Sequence, residues 1–314
     1  MKYAMIVILV FLMVPAAHSQ DDPSWVYTLQ GSAIVVFGAD RDSIDLSYAG
    51  PGALHPTPGG KYVFVTYDET EMISVVDAES RLEERTFSLG FVADHIEFSQ
   101  MGETAYISDG TSNEIRIYGH SAGDFTYQRS VSFGTAGSPF ALNRRGTRIY
   151  RPGGQGVLFL YVKTGEIIDE IETRRSVVDL TLTPDFREIW AILADGSMVV
   201  IDEPRGRTRK RLSIEVAPTE VYFDNSHGYV LSSSGDEIIA VSRRNLRHET
   251  RLGLARTSST FVVDQNQGLW SLSSAGLYAA DVSNGKQIAF FDLDDALYDL
   301  ALVILRAGEG FACF

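Results

Sequence analysis

The chain has 314 residues, and its 27 Lys and Arg against 41 Asp and Glu give a formal net charge of −14 at pH 7. An acidic balance of this size argues against nucleic acid and anionic membranes as partners, because both require a positive footprint. The single cysteine, Cys313, excludes an internal disulfide, so burial and strand pairing must stabilise the fold.

The N-terminal residues 1–19 have the features of a signal peptide. A lysine precedes an apolar run over residues 4–14, and Ala17 and Ser19 occupy the −3 and −1 positions of a cut before Gln20. This arrangement predicts a cleaved leader and a periplasmic or secreted protein. An uncleaved N-terminal anchor is the alternative. No later segment has the roughly 20 apolar residues that a membrane span needs.

After residue 20 the sequence repeats with a period of about 40 residues. A tight polar turn between two short apolar runs recurs six times, and the intervals between successive turns are 42, 44, 40, 41 and 40 residues. The fourth residues of these turns are Gly60, Gly102, Gly146, Phe186, His227 and Gln267. A second mark, the end of a short β-type run, recurs in phase with the first. Two independent marks with one period indicate a true structural repeat.

Each repeat contains four short runs rich in Val, Ile, Tyr, Phe and Thr, which predict four strands. The complete units are 51–93, 94–137, 138–176, 177–217, 218–256 and 257–296, and an incomplete unit covers 24–50. A four-stranded unit of this length is the blade of a β-propeller, whereas solenoids of similar period are helical.

The incomplete unit lacks its innermost strand, and Leu297–Val303 has the missing pattern. Pairing of this segment with Trp25–Gln30 would close the ring and remove the exposed strand edges. The sequence therefore predicts an all-β, seven-bladed β-propeller of four-stranded blades over residues 20–314, closed by its C-terminal strand joining the first blade. Gly310–Phe314 has the pattern of a further strand that would compete at this seam.

Two repeats resemble the YVTN-type bacterial propeller repeat, a member of the WD40-like propeller superfamily. The resemblance rests on residues 65–77 and 105–115, and on the turns Lys163-Thr164-Gly165 and Ser283-Asn284-Gly285. The resemblance implies a propeller over nearly the whole chain, and the last two complete units lack the usual Pro-Asp-Gly turn. Similar propellers include lactone hydrolases and the non-cofactor subunit of periplasmic amine dehydrogenases.

The innermost strands of a propeller surround its central channel, so we aligned the repeats at the entrance to that strand. The position seven residues before the turn mark is occupied by Ala53, His95, Pro139, Asp179, Glu220, Thr260 and Asp299. Asp94 directly precedes this position in its repeat. We expect Asp94, His95, Asp179, Glu220 and Asp299 to form an acidic channel mouth that binds a cation, a small polar molecule or a basic side chain. The alternative is a water-filled funnel lined by polar residues without a ligand.

Sequence motifs for catalysis or cofactor binding are absent. The histidines are scattered among the repeats without metal-ligand spacing, and neither a Gly-x-Ser-x-Gly motif nor a phosphate-binding loop occurs. The basic stretch from Arg205 to Arg211 either attracts an acidic partner or is a solvated hairpin.

Fold alone does not decide function. We therefore predict an exported, non-enzymatic binding or scaffold propeller, a monomer without cofactor, that recognises a protein or a small polar or cationic ligand. The alternative is a propeller enzyme of the lactonase type or a non-cofactor subunit of a periplasmic dehydrogenase.

Overall fold

The computed structural model describes residues 24–38, 41–109, 111–132, 139–214, 217–254, 256–264, 268–293 and 297–304. The predicted signal peptide, Cys313 and the segment Gly310–Phe314 lie outside these residues. Within them, no helix is long and apolar enough to cross a membrane.

The described residues form seven antiparallel four-stranded sheets arranged as a ring, which confirms the predicted seven-bladed β-propeller. Blades two to seven each use four consecutive strands, whereas blade one combines the last strand of the chain with the first three. The strands are β1 Ser24–Gln30, β2 Ala33–Phe37 and β3 Arg41–Asp45; β4 Gly52–Pro56, β5 Tyr62–Tyr67, β6 Thr70–Asp77 and β7 Leu82–Ser88; β8 Ala93–Phe98, β9 Thr104–Asp109, β10 Glu114–Ser121 and β11 Asp124–Ser132; β12 Ala141–Leu142, β13 Arg148–Gly153, β14 Gly156–Tyr161 and β15 Ile167–Glu172; β16 Val177–Leu182, β17 Glu188–Leu193, β18 Met198–Asp202 and β19 Arg207–Leu212; β20 Pro218–Phe223, β21 His227–Ser232, β22 Glu237–Ser242 and β23 His248–Gly253; β24 Ser258–Val263, β25 Gly268–Ser273, β26 Gly276–Asp281 and β27 Gln287–Asp292; and β28 Leu297–Ile304.

The hydrophobic core lies between neighbouring blades. Seven clusters of buried apolar residues fill the seven interfaces of the described ring, one cluster to each interface. This division follows from the period of two along a strand, which sends alternate side chains to opposite faces of each blade. Every blade is therefore sandwiched between two others, and the ring is stabilised only when all seven interfaces are made.

Closure of the ring depends on β28, which pairs antiparallel with β1 from Ser24 opposite Ile304 to Gln30 opposite Leu297. Its alternate side chains serve two different cores: Ala301 and Val303 pack against blade two, and Leu300 packs against blade seven.

The repeated turn between the first and second strands of a blade is stabilised by the side chain of its first residue. In six blades this side chain accepts a hydrogen bond from the backbone N–H of the first residue of the second strand, at 2.5–3.1 Å. The accepting residues are Thr57, Ser99, Asn143, Thr183, Asp224 and Asp264. Such local acceptors are the reason that Thr, Ser, Asn and Asp favour turns. The first repeat mark in the sequence thus corresponds to one hydrogen-bonded turn.

An aromatic residue at the third position of the second strand is a further repeated feature that the sequence analysis missed. The residue is Phe64 in blade two and a Tyr or Trp in blades three to seven, where its polar atom has a hydrogen-bond partner. Trp190 Nε1, for example, donates to Glu188 at 3.1 Å and Trp270 Nε1 donates to Asp264 at 2.8 Å. Buried Trp and Tyr normally require such a partner. In these five blades the aromatic side chain therefore connects the core to the turn region of its own or the neighbouring blade.

The register of β28 gives a prediction about stability. A chain that ends before Leu297 loses Val303 from one core and Leu300 from another, each contributing about 1.5–3 kcal/mol, and the smaller Ala301, out of a total stability of about 5–15 kcal/mol. It also exposes the paired edge of β1. We expect this truncation to abolish cooperative unfolding in a thermal melt followed by circular dichroism. A chain ending at Ile304 keeps every described pair of β28 and is the matched control. Similar melting of the two chains would contradict closure by this strand.

Candidate functional site

The candidate site is built by a backbone irregularity that recurs at the entrance of the innermost strands. In β8, β16, β20, β24 and β28 the second residue has no partner on the neighbouring strand, which is a β-bulge. The five bulged residues are Asp94, Val178, Thr219, Ser259 and Tyr298. A bulge changes the direction of the next side chain, and bulges are common beside functional sites.

The residue after each bulge is the third residue of an innermost strand, and these strands contact one another around the centre of the ring. These residues are His95, Asp179, Glu220, Thr260 and Asp299, and all five are partly buried. We refer to this ring as the mouth. Four of the five residues predicted from the sequence belong to it, whereas Asp94 is itself a bulged residue and is exposed next to the ring.

The carboxyl groups of the mouth are fastened to the ends of the innermost strands. Asp299 Oδ2 accepts a hydrogen bond from the backbone N–H of Leu54 in blade two at 2.8 Å. Glu220 Oε1 accepts one from Thr260 Oγ1 in blade seven at 3.0 Å. The carboxyls of Asp299 and Glu220 thus connect neighbouring blades, and these hydrogen bonds fix their positions at the mouth before any ligand binds.

Burial within the ring raises the pKa of all three carboxyl groups. The pKa of Glu220 rises to about 8, chiefly through burial; the charges of Asp299 and Asp179 add to the rise, against hydrogen bonds from Thr260 and the Phe261 backbone. The pKa of Asp299 rises to about 6, again through burial, while backbone hydrogen bonds and the charge of His95 oppose it. The pKa of Asp179 is also raised by burial.

The charges of Asp299 and Asp179 thus act on Glu220, and the charge of His95 acts on Asp299 and Asp179. Titration of one group therefore changes the charge of the others, and the mouth responds as a unit. A cationic group entering the mouth would favour the ionised carboxylates and would displace protons from them.

His95 is the basic member of the mouth. Burial opposes its protonation, but the neighbouring carboxylate of Glu97, followed by the charges of Asp94 and Asp179, raises its pKa above the ordinary value. Its Nε2 lies 3.6 Å from Glu97 Oε1. The side chain keeps 38% of its surface exposed, so it remains accessible from the channel.

His55 was not singled out from the sequence, yet it contacts the site. It lies on β4, two residues beyond Ala53 in the ring alignment, and its ring meets that of His95 edge-on with 5.8 Å between centroids. Its Nε2 is 3.0 Å from Thr66 Oγ1. Burial, with the charge of His95, lowers its pKa to about 3, so His55 is neutral at physiological pH. A neutral, hydrogen-bonded imidazole beneath the mouth supports His95 without adding charge.

The described residues do not form a recognisable metal site. Among them, no group of three or more His, Cys, Asp or Glu is arranged to hold a metal ion. The chemistry available at the mouth is therefore that of carboxyl groups with raised pKa, one protonatable imidazole, and the threonine hydroxyl of Thr260.

The raised pKa of Glu220 gives a prediction about stability and pH. An unfolded Glu ionises near its ordinary value of 4.5, whereas folded Glu220 holds its proton up to about pH 8, so the free energy of unfolding falls as pH rises between these values. We expect Glu220→Gln to remove this loss. At roughly 1.4 kcal/mol per pKa unit, reduced by channel water, the variant should gain about 2 kcal/mol at pH 8.5 and little at pH 4.

Chemical denaturation at both pH values measures this effect. Glu170→Gln, on the exposed outer strand β15, is the control and should be neutral at both. An equal gain for Glu220→Gln at pH 4 and pH 8.5 would show that the carboxyl is not buried with a raised pKa.

No protein-family model matches this chain, and no curated protein matches it significantly. The seven-bladed ring is consistent with the WD40-like propeller superfamily, and the resemblance to the YVTN-type repeat stays a prediction from the sequence.

Proposed function

We propose that this protein is an exported, non-enzymatic binding propeller of the YVTN type, whose channel mouth holds a cationic group of a small ligand or of a partner protein. The observation that carries the proposal is the position of Glu220 and Asp299, two carboxyls of raised pKa that lie within reach of each other's charge. Clustered groups with perturbed pKa values are a physical signature of functional sites.

An organic cation fits this environment better than an anion. Three carboxyl groups and one imidazole contribute, so deprotonation leaves the mouth negative, and low-dielectric walls strengthen the field inside it. The carboxyls are already fastened by backbone and hydroxyl donors, and their remaining lone pairs can accept hydrogen bonds from a guanidinium or an ammonium. The ligand would complete the charge balance that protons provide in the free protein.

Calorimetry with ethylguanidinium tests the proposal, because a guanidinium keeps its charge throughout the range from pH 6 to 9. Since binding releases the proton of Glu220, affinity should rise up to about tenfold per pH unit below pH 8 and then level off. N-ethylurea, the neutral analogue, should not bind. The double variant Asp179→Asn/Glu220→Gln should lose binding, and Glu170→Gln should retain it.

Equal binding of ethylguanidinium and N-ethylurea would contradict the cation site. Binding that does not change between pH 6 and 8 would exclude Glu220 from it.

Export is proposed from the leader pattern of residues 1–19. When the full chain is produced in a bacterium, we expect the protein in the periplasmic fraction or the medium, with a mature N-terminus at Gln20. Ser19→Arg should block the cut, because the −1 position requires a small residue. Recovery of the intact N-terminus in a membrane fraction would favour the uncleaved anchor instead.

A second candidate is a hydrolase of the lactonase type. One observation favours it: Glu220, which remains largely protonated at neutral pH, belongs to the same ring of residues as the imidazole of His95, and such groups can serve as general acid and base. Turnover of simple lactones by the purified chain, lost in Glu220→Gln, would replace the binding proposal. Copurification of a dehydrogenase would favour the role of a non-cofactor subunit.

A further inference from the structure

A groove of about 540 Å³ lies between blades five and six, on the face opposite the mouth. It is formed by the turns that join the first to the second strand and the third to the fourth strand, whereas the mouth lies at the other end of these strands. We refer to it as the arginine groove. Its lining includes Asp185, Arg187, Arg209, Asn225, Arg243 and Arg244.

Two of the four arginines hold the two blades together. Arg209 on β19 pairs with Glu188 of its own blade and donates to the backbone carbonyl of Arg244 in blade six at 3.0 Å. In the opposite direction, Arg243 Nη2 pairs with Asp185 of blade five at 2.7 Å. This reciprocal arrangement gives the groove a fixed shape.

The same contacts use the two carboxylates of the groove. Glu188 is buried and accepts from both Arg209 and Trp190 Nε1, and Asp185 accepts from Thr183 as well as from Arg243. Both carboxylates that line the groove are therefore already paired with an arginine of the interface, and the charge of Asp185 also acts on one of the remaining cations, Arg187.

Arg187 and Arg244 are those remaining cations. Both are exposed, and neither side chain has an ion pair or hydrogen bond within the described part of the chain. They lie on turns of different blades, Arg187 on the β16–β17 turn and Arg244 on the β22–β23 turn. An acidic protein with a net charge of −14 thus has a locally positive groove with two separated, unused guanidinium groups.

The basic stretch from Arg205 to Arg211 was expected either to attract an acidic partner or to form a solvated hairpin. In the structure most of it has a different role. Arg207–Leu212 is the outermost strand β19 itself and not only a hairpin turn. Lys210 Nζ donates to the carbonyl of Leu246 in blade six at 2.6 Å, and Arg211 donates to the carbonyl of Thr173 in blade four. These two cations fasten blade to blade, and among the residues of this strand only Arg209 lines the groove.

We propose that the arginine groove docks an acidic peptide segment of a partner protein, with one carboxylate at Arg187 and another at Arg244. A guanidinium binds a carboxylate through two parallel hydrogen bonds. Two guanidiniums on different turns suit a ligand with separated anionic groups rather than one small anion. Duplex nucleic acid is disfavoured because the rest of the acidic protein repels a long polyanion.

Fluorescence polarisation with a labelled, end-blocked hexaglutamate peptide tests this at low salt. We expect Arg187→Gln/Arg244→Gln to weaken binding at least about tenfold, equal to about 1.4 kcal/mol, at an unchanged melting temperature, because neither side chain supports the fold. Arg145→Gln/Arg174→Gln removes the same charge at exposed positions elsewhere and should leave the affinity within about twofold.

Equal weakening by both double variants would overturn the proposal, since binding would then depend on net charge alone. Displacement of the peptide by inorganic phosphate at the same concentration as by unlabelled peptide would also overturn it, in favour of a small-anion site. Asp179→Asn/Glu220→Gln at the mouth should leave peptide binding intact. The test of the arginine groove is therefore independent of the test of the cation site.

Discussion

The pairing of the last strand with the first is the interaction on which the rest of this structure depends. Each blade contributes its two faces to two different cores, so an open ring would leave two apolar faces in water. The strand β28 covers both of these faces and satisfies the edge of β1 at the same time. A chain without disulfides among its described residues is thereby held together by one ladder of backbone hydrogen bonds and the seven cores that this ladder closes.

Ring closure also positions the mouth. Asp299 is on β28, and its carboxylate accepts the N–H of Leu54 in blade two, so a group from the end of the chain is fixed against a strand near its beginning. The charge of Asp299 in turn raises the pKa of Glu220. Stability of the ring and the electrostatics of the site are therefore two consequences of the same strand.

The mouth and the arginine groove lie at opposite ends of the strands, and the repeat explains where each of them forms. At the mouth, the bulge at the second residue of five innermost strands directs the next side chain to the channel entrance, where acids and one histidine gather. On the other face, Arg129 and Arg209 on outer strands donate to backbone carbonyls of the next blade, and Arg243 on a turn pairs with the carboxylate of Asp185 in the preceding blade. Between blades five and six these contacts leave two exposed arginines, Arg187 and Arg244, at the edge of the groove.

The sequence by itself determined the number of blades, the strand order, the closing strand and the ring position of His95, Asp179, Glu220 and Asp299, because period and turn chemistry are local properties. Only the tertiary structure decided which of these groups interact electrostatically, because the pKa of Glu220 depends on the charge of Asp299, which is 79 positions away in the chain. It also decided that His55 supports the mouth and that Asp94 occupies a bulge. The arginine groove was likewise decided by the tertiary structure. Whether an arginine is hydrogen-bonded depends on which carbonyls and carboxylates of the neighbouring blade lie beside it, and residue spacing along one strand does not reveal this.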